Sequence, residues 1–136
     1  MLERSFYNIL GCDKSYTESR IVVFGAPFDG TTSYRPGARF ACSAIRNESY
    51  SIETYSPYQD KDLEDIFVFD AGDLELPFGN AEKVLCQIEA FTAGILKDGK
   101  IPLMLGGEHL VSLGAVRAAV KFHKDLHIVH FDAHSD

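Results

Sequence analysis

The stretch IPLMLGGEH, residues 101–109, combines an apolar run with two glycines and a histidine. Its first part, residues 101–105, is a short run of mostly apolar residues, which predicts a buried strand. Gly106 and Gly107 end this strand, because paired glycines let the chain turn sharply and let another backbone approach closely. His109 follows at the predicted start of a helix, so the stretch predicts a strand, a tight turn and a helix in direct succession.

Three further runs have a similar character and predict strands over residues 21–24, 66–69 and 126–131. Runs that are mostly apolar rather than alternating are typical of strands buried on both faces of a parallel sheet. The strands alternate with loops and helices, and right-handed crossovers between parallel strands place helices against the sheet. We therefore expect an α/β fold, a three-layer α/β/α sandwich with a mainly parallel sheet.

The clearest helix is predicted between Asn80, a suitable N-cap, and Gly99, a typical C-cap residue. Between them, apolar residues recur at the 3.6-residue spacing of a helix with one buried face. A second helix is predicted over residues 110–123 and a short one over residues 41–50. The buried stripe of the second helix is expected to consist of Leu110, Leu113, Val116 and Val120.

Composition and charge restrict the classes of function. The 136 residues carry a net charge of −7, which disfavours nonspecific nucleic-acid binding and favours a small cationic ligand. No stretch of roughly 18 apolar residues predicts a membrane span, and the first residues do not resemble a signal peptide. The three cysteines show no close pairing, which is typical of reduced thiols. We therefore expect a cytoplasmic protein that binds neither membranes nor nucleic acids.

Chemically reactive residues follow all four predicted strands. In open α/β sheets, ligands bind outside the carboxyl ends of the strands. The segments at this edge are GAPFDGTTSYRPGAR (25–39), DAGDLE (70–75), GGEH (106–109) and DAHSD (132–136). In the last of them, Asp132, His134 and Asp136 occupy alternate positions, and alternate side chains of an extended segment share a face. Together with His109 from the preceding unit, they predict a metal site.

For the other polar residues in these parts of the sequence, we expect structural roles first. Glu108 is expected to support the site or to act as a charge at the helix start. Asp70 and Asp73 are expected to form Asx turns or N-caps, with support of the site as the alternative. Arg35 and Arg39 flank a Pro-Gly turn and are expected to shape the loop, with carboxylate pairing or a subunit contact as alternatives. Packing or capping is the expected role of His123, His127 and His130.

The four proposed ligands are two carboxylates and two imidazoles, without a thiolate. This set suits Mn²⁺ better than a structural zinc ion, which usually takes cysteines. Two such ions about 3.5–4 Å apart can share a water molecule and lower its pKa, so the expected reaction is a hydrolysis. The sequence has no GxGxxG, GxxxxGK[ST] or GxSxG motif, which argues against dinucleotide, nucleotide and serine-hydrolase sites.

Two runs in the sequence resemble the N-terminal metal-binding signatures of the ureohydrolases, the arginase and agmatinase family. These runs are LGGEHLVS (105–112) and IVHFDAHSD (128–136). The segments PFDGTTSYRPGAR (27–39) and DAGDL (70–74) look more like those of agmatinases than those of arginases. The motif GGEH also favours agmatinases, since arginases tend to carry GGDHS at this position. The resemblance covers most of the chain and implies an arginase-like fold.

This resemblance implies a dimanganese enzyme that hydrolyses a guanidino group to urea and an amine. Its first candidate substrate is agmatine, which would yield putrescine and urea in polyamine metabolism. By resemblance, His109 and Asp136 bind one Mn²⁺ ion, His134 binds the other, and Asp132 bridges the two. The resemblance also implies a small cationic guanidino substrate and a homo-oligomer, either a trimer or a hexamer.

Ureohydrolases supply further aspartate ligands and acid–base groups from segments that follow DAHSD. We therefore expect residues 1–136 to be the N-terminal part of a single arginase-like α/β domain, truncated at Asp136 and inactive by itself. Arginase, guanidinobutyrase and formiminoglutamase activities remain alternatives, because loops outside this sequence set most of the selectivity. A non-catalytic truncated homologue that serves assembly and a metal-dependent deacetylase of related architecture are alternatives from other classes.

Overall fold

The structure, a computed structural model, describes residues 7–133. Along the chain, its strands and α-helices are β1 (Ile21–Ala26), α1 (Ala41–Ser49), β2 (Tyr55–Ser56), β3 (Lys61–Asp62), β4 (Val68–Asp73), α2 (Ala81–Lys97), β5 (Ile101–Gly106) and α3 (Val111–Phe122). Short 3-10 helices, Ala38–Phe40 and Leu63–Asp65, precede α1 and β4. Among the helices of this described part, none has the length and apolar character needed to cross a membrane.

The central sheet consists of three parallel strands in the order β4-β1-β5. β1 pairs with β5 over its whole length, from Ile21 opposite Ile101 to Ala26 opposite Gly106. β1 pairs with β4 on its other side, while β2 and β3 form a separate two-residue antiparallel ladder. Three of the four predicted strands are therefore confirmed as neighbours in one parallel sheet, although β4 begins and ends later than predicted.

The side chains of β1 alternate between two apolar layers. Val22 and Phe24 are buried against Phe91 and Ile95 of α2. Val23 packs on the opposite face, against the segment that precedes β1. Helices α2 and α3 pack on each other over the first face, and α1 contacts β5 on the second. The expected three-layer α/β/α arrangement is therefore confirmed.

Both predicted caps of α2 are confirmed. The side-chain oxygen of Asn80 accepts a hydrogen bond of 2.9 Å from the main-chain N of Lys83, which satisfies one of the free N–H groups of the first turn. At the other end, Gly99 adopts a φ of 70°, the left-handed conformation that glycine takes most easily. The helix therefore begins and ends where local sequence chemistry predicts.

The buried face of α3 differs from the predicted one. Gly114 and Ala118 lie on the buried side, and a Cβ atom added to Gly114 would lie 2.8 Å from the Cβ atom of Ile88 in α2. Leu113 and Val120, which belong to the predicted stripe, are 40% and 52% exposed. The prediction is wrong because the close approach of two helices selects small side chains, which a hydropathy pattern ranks below leucine and valine.

The predicted strand over residues 126–131 is wrong for this structure, in which these residues have no regular secondary structure. Ile128, Val129 and Phe131 are 61%, 77% and 94% exposed. A strand is stable only when a neighbour satisfies its backbone hydrogen bonds. Within residues 7–133 no strand pairs with this segment, and β5 is an edge strand of the sheet.

Candidate metal centre

The turn that carries His109 is held against the end of β1 by main-chain hydrogen bonds. Gly107 N donates to Ala26 O at 3.0 Å, and Glu108 N donates to Phe28 O at 2.8 Å. A Cβ atom on Gly107 would lie 2.0 Å from the carbonyl oxygen of Phe28, so only glycine permits this approach. The pairing of β1 with β5 thus continues past both strands and places His109 at the carboxyl edge of the sheet.

Three potential metal ligands meet beside this turn. His109 Nδ1 lies 3.2 Å from Asp132 Oδ2, and His130 Nε2 lies 3.3 Å from the same oxygen. One ligand atom from each of the three side chains lies within 4.8 Å of the other two. The imidazole rings of His109 and His130 meet edge to face, with their centroids 5.1 Å apart. All three residues are exposed, so the cluster is open to an ion from solvent.

The ligand atoms of this cluster fit the ion that the sequence predicts. Two imidazole nitrogens and a carboxylate oxygen form a mixed set that suits Mn²⁺ and similar borderline ions. The structure brings together two of the predicted ligands, His109 and Asp132. The other two, His134 and Asp136, lie outside the described residues, and their roles stay predictions.

His130 was expected to have a packing or capping role, but the structure places it in the cluster, 3.3 Å from Asp132 Oδ2. It lies two positions before Asp132, so the alternation of side chains in an extended segment is a signal that favours a shared face. His123 and His127 are exposed and stand outside the cluster. Among the histidines of residues 123–130, His130 is thus the one that the structure brings to the site.

A buried ion pair orders the carboxyl end of β4. Arg46 of α1, which is 3% exposed, donates hydrogen bonds to both carboxylate oxygens of Asp70 and a further one to Asp73. Asp70 also accepts from Gly72 N at 2.9 Å, as expected for an Asx turn. Burial lowers the pKa of Arg46, but its hydrogen bonds to the two aspartates raise that pKa above its ordinary value overall. Sequence reasoning missed Arg46, because no spacing rule links residues 24 positions apart.

The loop after β1 is closed by the carboxylate of Asp29. It accepts hydrogen bonds of 2.6 Å from Gly37 N and 2.9 Å from Arg39 Nη1. The hydrogen bond from Arg39 is the main reason that the pKa of Asp29 lies below its ordinary value. Arg35, in the same loop, has a φ of 47°, a left-handed conformation. The structure thus shows the expected loop-shaping role for Arg39.

Glu108 ties this loop to the turn that carries His109. Its Oε1 atom accepts a hydrogen bond of 2.9 Å from Thr31 N, and its Oε2 atom accepts one of 2.6 Å from Thr31 Oγ1. Both carboxylate oxygens are thus engaged with Thr31. This arrangement agrees with a role for Glu108 in supporting the site rather than in binding the ion.

The fold and the site together indicate the protein family to which the chain belongs. A model of the arginase family matches residues 19–136, and the chain belongs to this family. Membership agrees with the parallel sheet between helix layers and with a histidine–carboxylate cluster at the carboxyl edge of that sheet.

Relatives within the family include several agmatinases. The chain is 52% identical over 122 residues to an agmatinase of Bacillus anthracis, an alignment that covers 90% of this chain and 42% of the relative. It is 41% identical over 117 residues to the proclavaminate amidinohydrolase of Streptomyces clavuligerus, covering 85% of this chain and 37% of that relative. The chain thus spans about 42% of the length of the two Bacillus agmatinases that it matches at 52% and 51% identity.

Solved structures share this fold. A Clostridium difficile protein described as a candidate agmatinase matches with a TM-score of 0.86 at 53% identity, over 88% of this chain and 44% of that one. The agmatine ureohydrolase of Thermoplasma volcanium matches with a TM-score of 0.79 at 40% identity, over 84% of this chain and 39% of that one. These similarities confirm the expected arginase-like fold.

Proposed function

We propose that the protein containing this chain hydrolyses the guanidino group of agmatine to putrescine and urea, as a manganese-dependent enzyme of polyamine metabolism. The observation that carries this proposal is the 3.2 Å distance between His109 Nδ1 and Asp132 Oδ2 in a chain of the arginase family. Identities of 52% and 51% to Bacillus agmatinases support agmatine as the substrate.

In this proposal, His109, Asp132, His134 and Asp136 hold two Mn²⁺ ions together with ligands from the rest of the enzyme. When bound, Mn²⁺ supplies Lewis-acid chemistry and lowers the pKa of water. A metal binds imidazole nitrogens and carboxylate oxygens in their unprotonated forms, and the chain supplies both kinds of atom. His109 Nδ1 and Asp132 Oδ2 lie 3.2 Å apart, so the two side chains are already gathered at one place.

The chemistry of the substrate is consistent with an acidic protein. Agmatine carries a guanidinium and an ammonium group, and the net charge of −7 on this chain favours the approach of such a cation. The guanidinium carbon is stabilised by resonance and is a poor electrophile. Catalysis therefore depends on holding this carbon in a fixed position against the nucleophile, which is a task for residues that orient the substrate.

Another guanidino compound is the second candidate substrate, because relatives with other names also match this chain. One is the proclavaminate amidinohydrolase already described. Another is an N(1)-aminopropylagmatine ureohydrolase of Thermococcus kodakarensis, which is 37% identical over 121 residues, or 88% of this chain and 41% of the relative. Arginine carries a carboxylate that agmatine lacks, and guanidinobutyrate carries a carboxylate in place of the terminal aminomethyl group of agmatine, so comparing these substrates separates the candidates.

Urea release by the full-length enzyme in the presence of Mn²⁺ tests the proposal directly. We expect kcat/KM for agmatine to exceed that for arginine or guanidinobutyrate by roughly 100-fold or more. The reason is that the carboxylate of these two compounds would be costly to bury in the site without a partner. Asp132→Asn should abolish turnover without changing the circular dichroism spectrum, whereas Glu53→Ala, at an exposed position, should leave turnover intact. Activity on arginine alone would contradict the proposed substrate, and full turnover by D132N would contradict the bridging role of Asp132.

We further propose that the enzyme is cytoplasmic and forms a homo-oligomer, either a trimer or a hexamer. Analytical ultracentrifugation measures the oligomeric state. A polypeptide restricted to residues 1–136 holds only part of the proposed ligand set. We therefore expect it to bind Mn²⁺ weakly and to release no urea, and measurable urea release by this polypeptide would contradict that expectation.

A further inference from the structure

We propose that Glu108 is a positioning residue, which fixes the loop 27–39 beside the metal-bearing turn through two hydrogen bonds from Thr31 and thereby orients the guanidino substrate. The substrate part of this inference rests on the proposed function. The anchoring of the loop does not, and it can be measured in an enzyme without substrate or metal.

The contact between Glu108 and Thr31 fixes orientation as well as distance. Thr31 N and Thr31 Oγ1 donate to different oxygens of the same carboxylate, at 2.9 Å and 2.6 Å. Two hydrogen bonds to one planar group restrict rotation in a way that a single bond does not. The two residues lie 77 positions apart, so the contact joins segments that are distant in the chain.

The loop 27–39, which contains Thr31, is closed by its own internal hydrogen bonds. Asp29 accepts hydrogen bonds from Gly37 N and from the Arg39 guanidinium, and Thr32 Oγ1 donates to Asp29 O at 2.9 Å. These bonds connect the beginning of the loop to its end, so a displacement of Thr31 is passed on to the rest of the loop. Anchoring at one residue therefore positions the loop as a unit.

The anchor lies next to the proposed metal ligand. Glu108 precedes His109 in the chain, and Glu108 N donates to Phe28 O at 2.8 Å. Both the main chain and the side chain of Glu108 thus bind the loop, on the same turn that carries His109. A substrate whose guanidino group occupies the metal centre lies beside this loop, and its binding depends on where the loop is held.

Hydrogen–deuterium exchange of the full-length enzyme tests the anchor itself. We expect Glu108→Ala to increase exchange in peptides that cover residues 27–39, because Thr31 N loses its acceptor. Glu108→Gln should keep exchange slow, since its amide oxygen can accept from Thr31 N and its amide nitrogen can donate to Thr31 Oγ1. Glu108→Asp retains the charge but shortens the side chain, so it should behave like the alanine variant. Glu53→Ala is the matched control at an exposed position.

Kinetics test the consequence for the substrate. With saturating Mn²⁺, Glu108→Ala should raise KM for agmatine by roughly 5- to 20-fold, as expected for the loss of hydrogen bonds to a charged group. Glu108→Gln should restore KM to within about twofold, and the Mn²⁺ affinity of E108Q should equal that of the wild type. Thr31→Val removes only the hydroxyl donor, and its effect should largely disappear in the E108A background, because both changes break the same contact.

Three results would overturn the proposal. Unchanged exchange over residues 27–39 in E108A would show that Glu108 does not anchor the loop. A loss of Mn²⁺ affinity in E108Q would make Glu108 a metal ligand. Fully additive effects of T31V and E108A on KM would show that the two residues act separately. Should E108A fail to fold, T31V provides the exchange comparison. Absence of urea release by the wild type would reject the proposed function, but the exchange result would still decide whether Glu108 anchors the loop.

Discussion

Arg46 Nε and Arg46 Nη2 each donate a hydrogen bond of 2.9 Å to a different oxygen of Asp70, and both side chains are buried. This pair connects α1 to β4 and therefore joins one helix layer to the central sheet. Removing one partner of such a pair leaves the other charge buried without compensation, which costs far more than the loss of an exposed ion pair.

We expect Arg46→Ala to lower the free energy of unfolding by about 3–5 kcal/mol, because Asp70 then remains buried without its counter-charge. Urea denaturation of the full-length enzyme measures the change. Arg20→Ala, at an exposed position, is the control and should stay within about 0.5 kcal/mol of the wild type. Equal stability of the R46A and R20A variants would mean that the ion pair does not hold the two layers together.

Gly107→Ala should destabilise the enzyme by about 1–3 kcal/mol, because the added Cβ atom would meet the Phe28 carbonyl oxygen at 2.0 Å. It should also weaken Mn²⁺ binding, since the same turn carries His109. Gly94→Ala in α2 is the matched control. An added Cβ atom at Gly94 has nothing within 4 Å, so this change should stabilise the helix by up to about 1 kcal/mol. Thermal unfolding measures both variants, and equal shifts for the two would contradict the prediction.

His109→Ala should weaken Mn²⁺ binding at least tenfold, because it removes an imidazole ligand from the cluster (about 1.4 kcal/mol or more). Electron paramagnetic resonance of free Mn²⁺ gives the affinity. Added Mn²⁺ should also raise the melting temperature of the wild type more than that of H109A, since an ion that binds the native state stabilises it. His127→Ala, exposed and outside the cluster, should bind Mn²⁺ like the wild type.

The cysteines should differ in reactivity towards a thiol reagent at pH 8. Burial, followed by the charges of Asp70 and Asp13, raises the pKa of Cys12 to about 11, and burial also raises the pKa of Cys42. At pH 8, below these raised values, both groups remain buried neutral thiols, which react poorly. Cys86 is exposed and should be labelled first. Peptide mass mapping identifies the site, Cys86→Ser should remove this fast labelling, and rapid labelling of Cys12 in the native enzyme would contradict its burial.

Local patterns in the sequence predict the parts of this structure that depend on neighbouring residues. Apolar runs predict the three strands of the sheet, and Asn80 and Gly99 predict the ends of α2. The rule that ligands meet at the carboxyl ends of parallel strands correctly places His109 after β5. It places Asp132 there through a fourth strand that residues 7–133 do not form, although the two side chains do lie 3.2 Å apart.

The features that sequence reasoning missed depend on residues that are distant in the chain. Arg46 pairs with Asp70, 24 positions away, and Glu108, for which a supporting role was expected, binds a partner 77 positions away, and no periodicity relates such pairs. The face of α3 depends on the fit between Gly114 and Ile88 rather than on hydropathy. The segment 126–131 has strand-like composition, but a strand also needs a hydrogen-bonded neighbour, which composition does not supply.

The pairing of β1 with β5 has a consequence for the order of events in folding. Ile21 pairs with Ile101, eighty positions further along the chain, and the same ladder continues through Gly107 to the turn that carries His109. Contacts between such distant segments form slowly, because a long loop must close before they stabilise anything. Because the turn that carries His109 takes its place at the end of this ladder, we expect Mn²⁺ capture during refolding to report the late closure of the sheet.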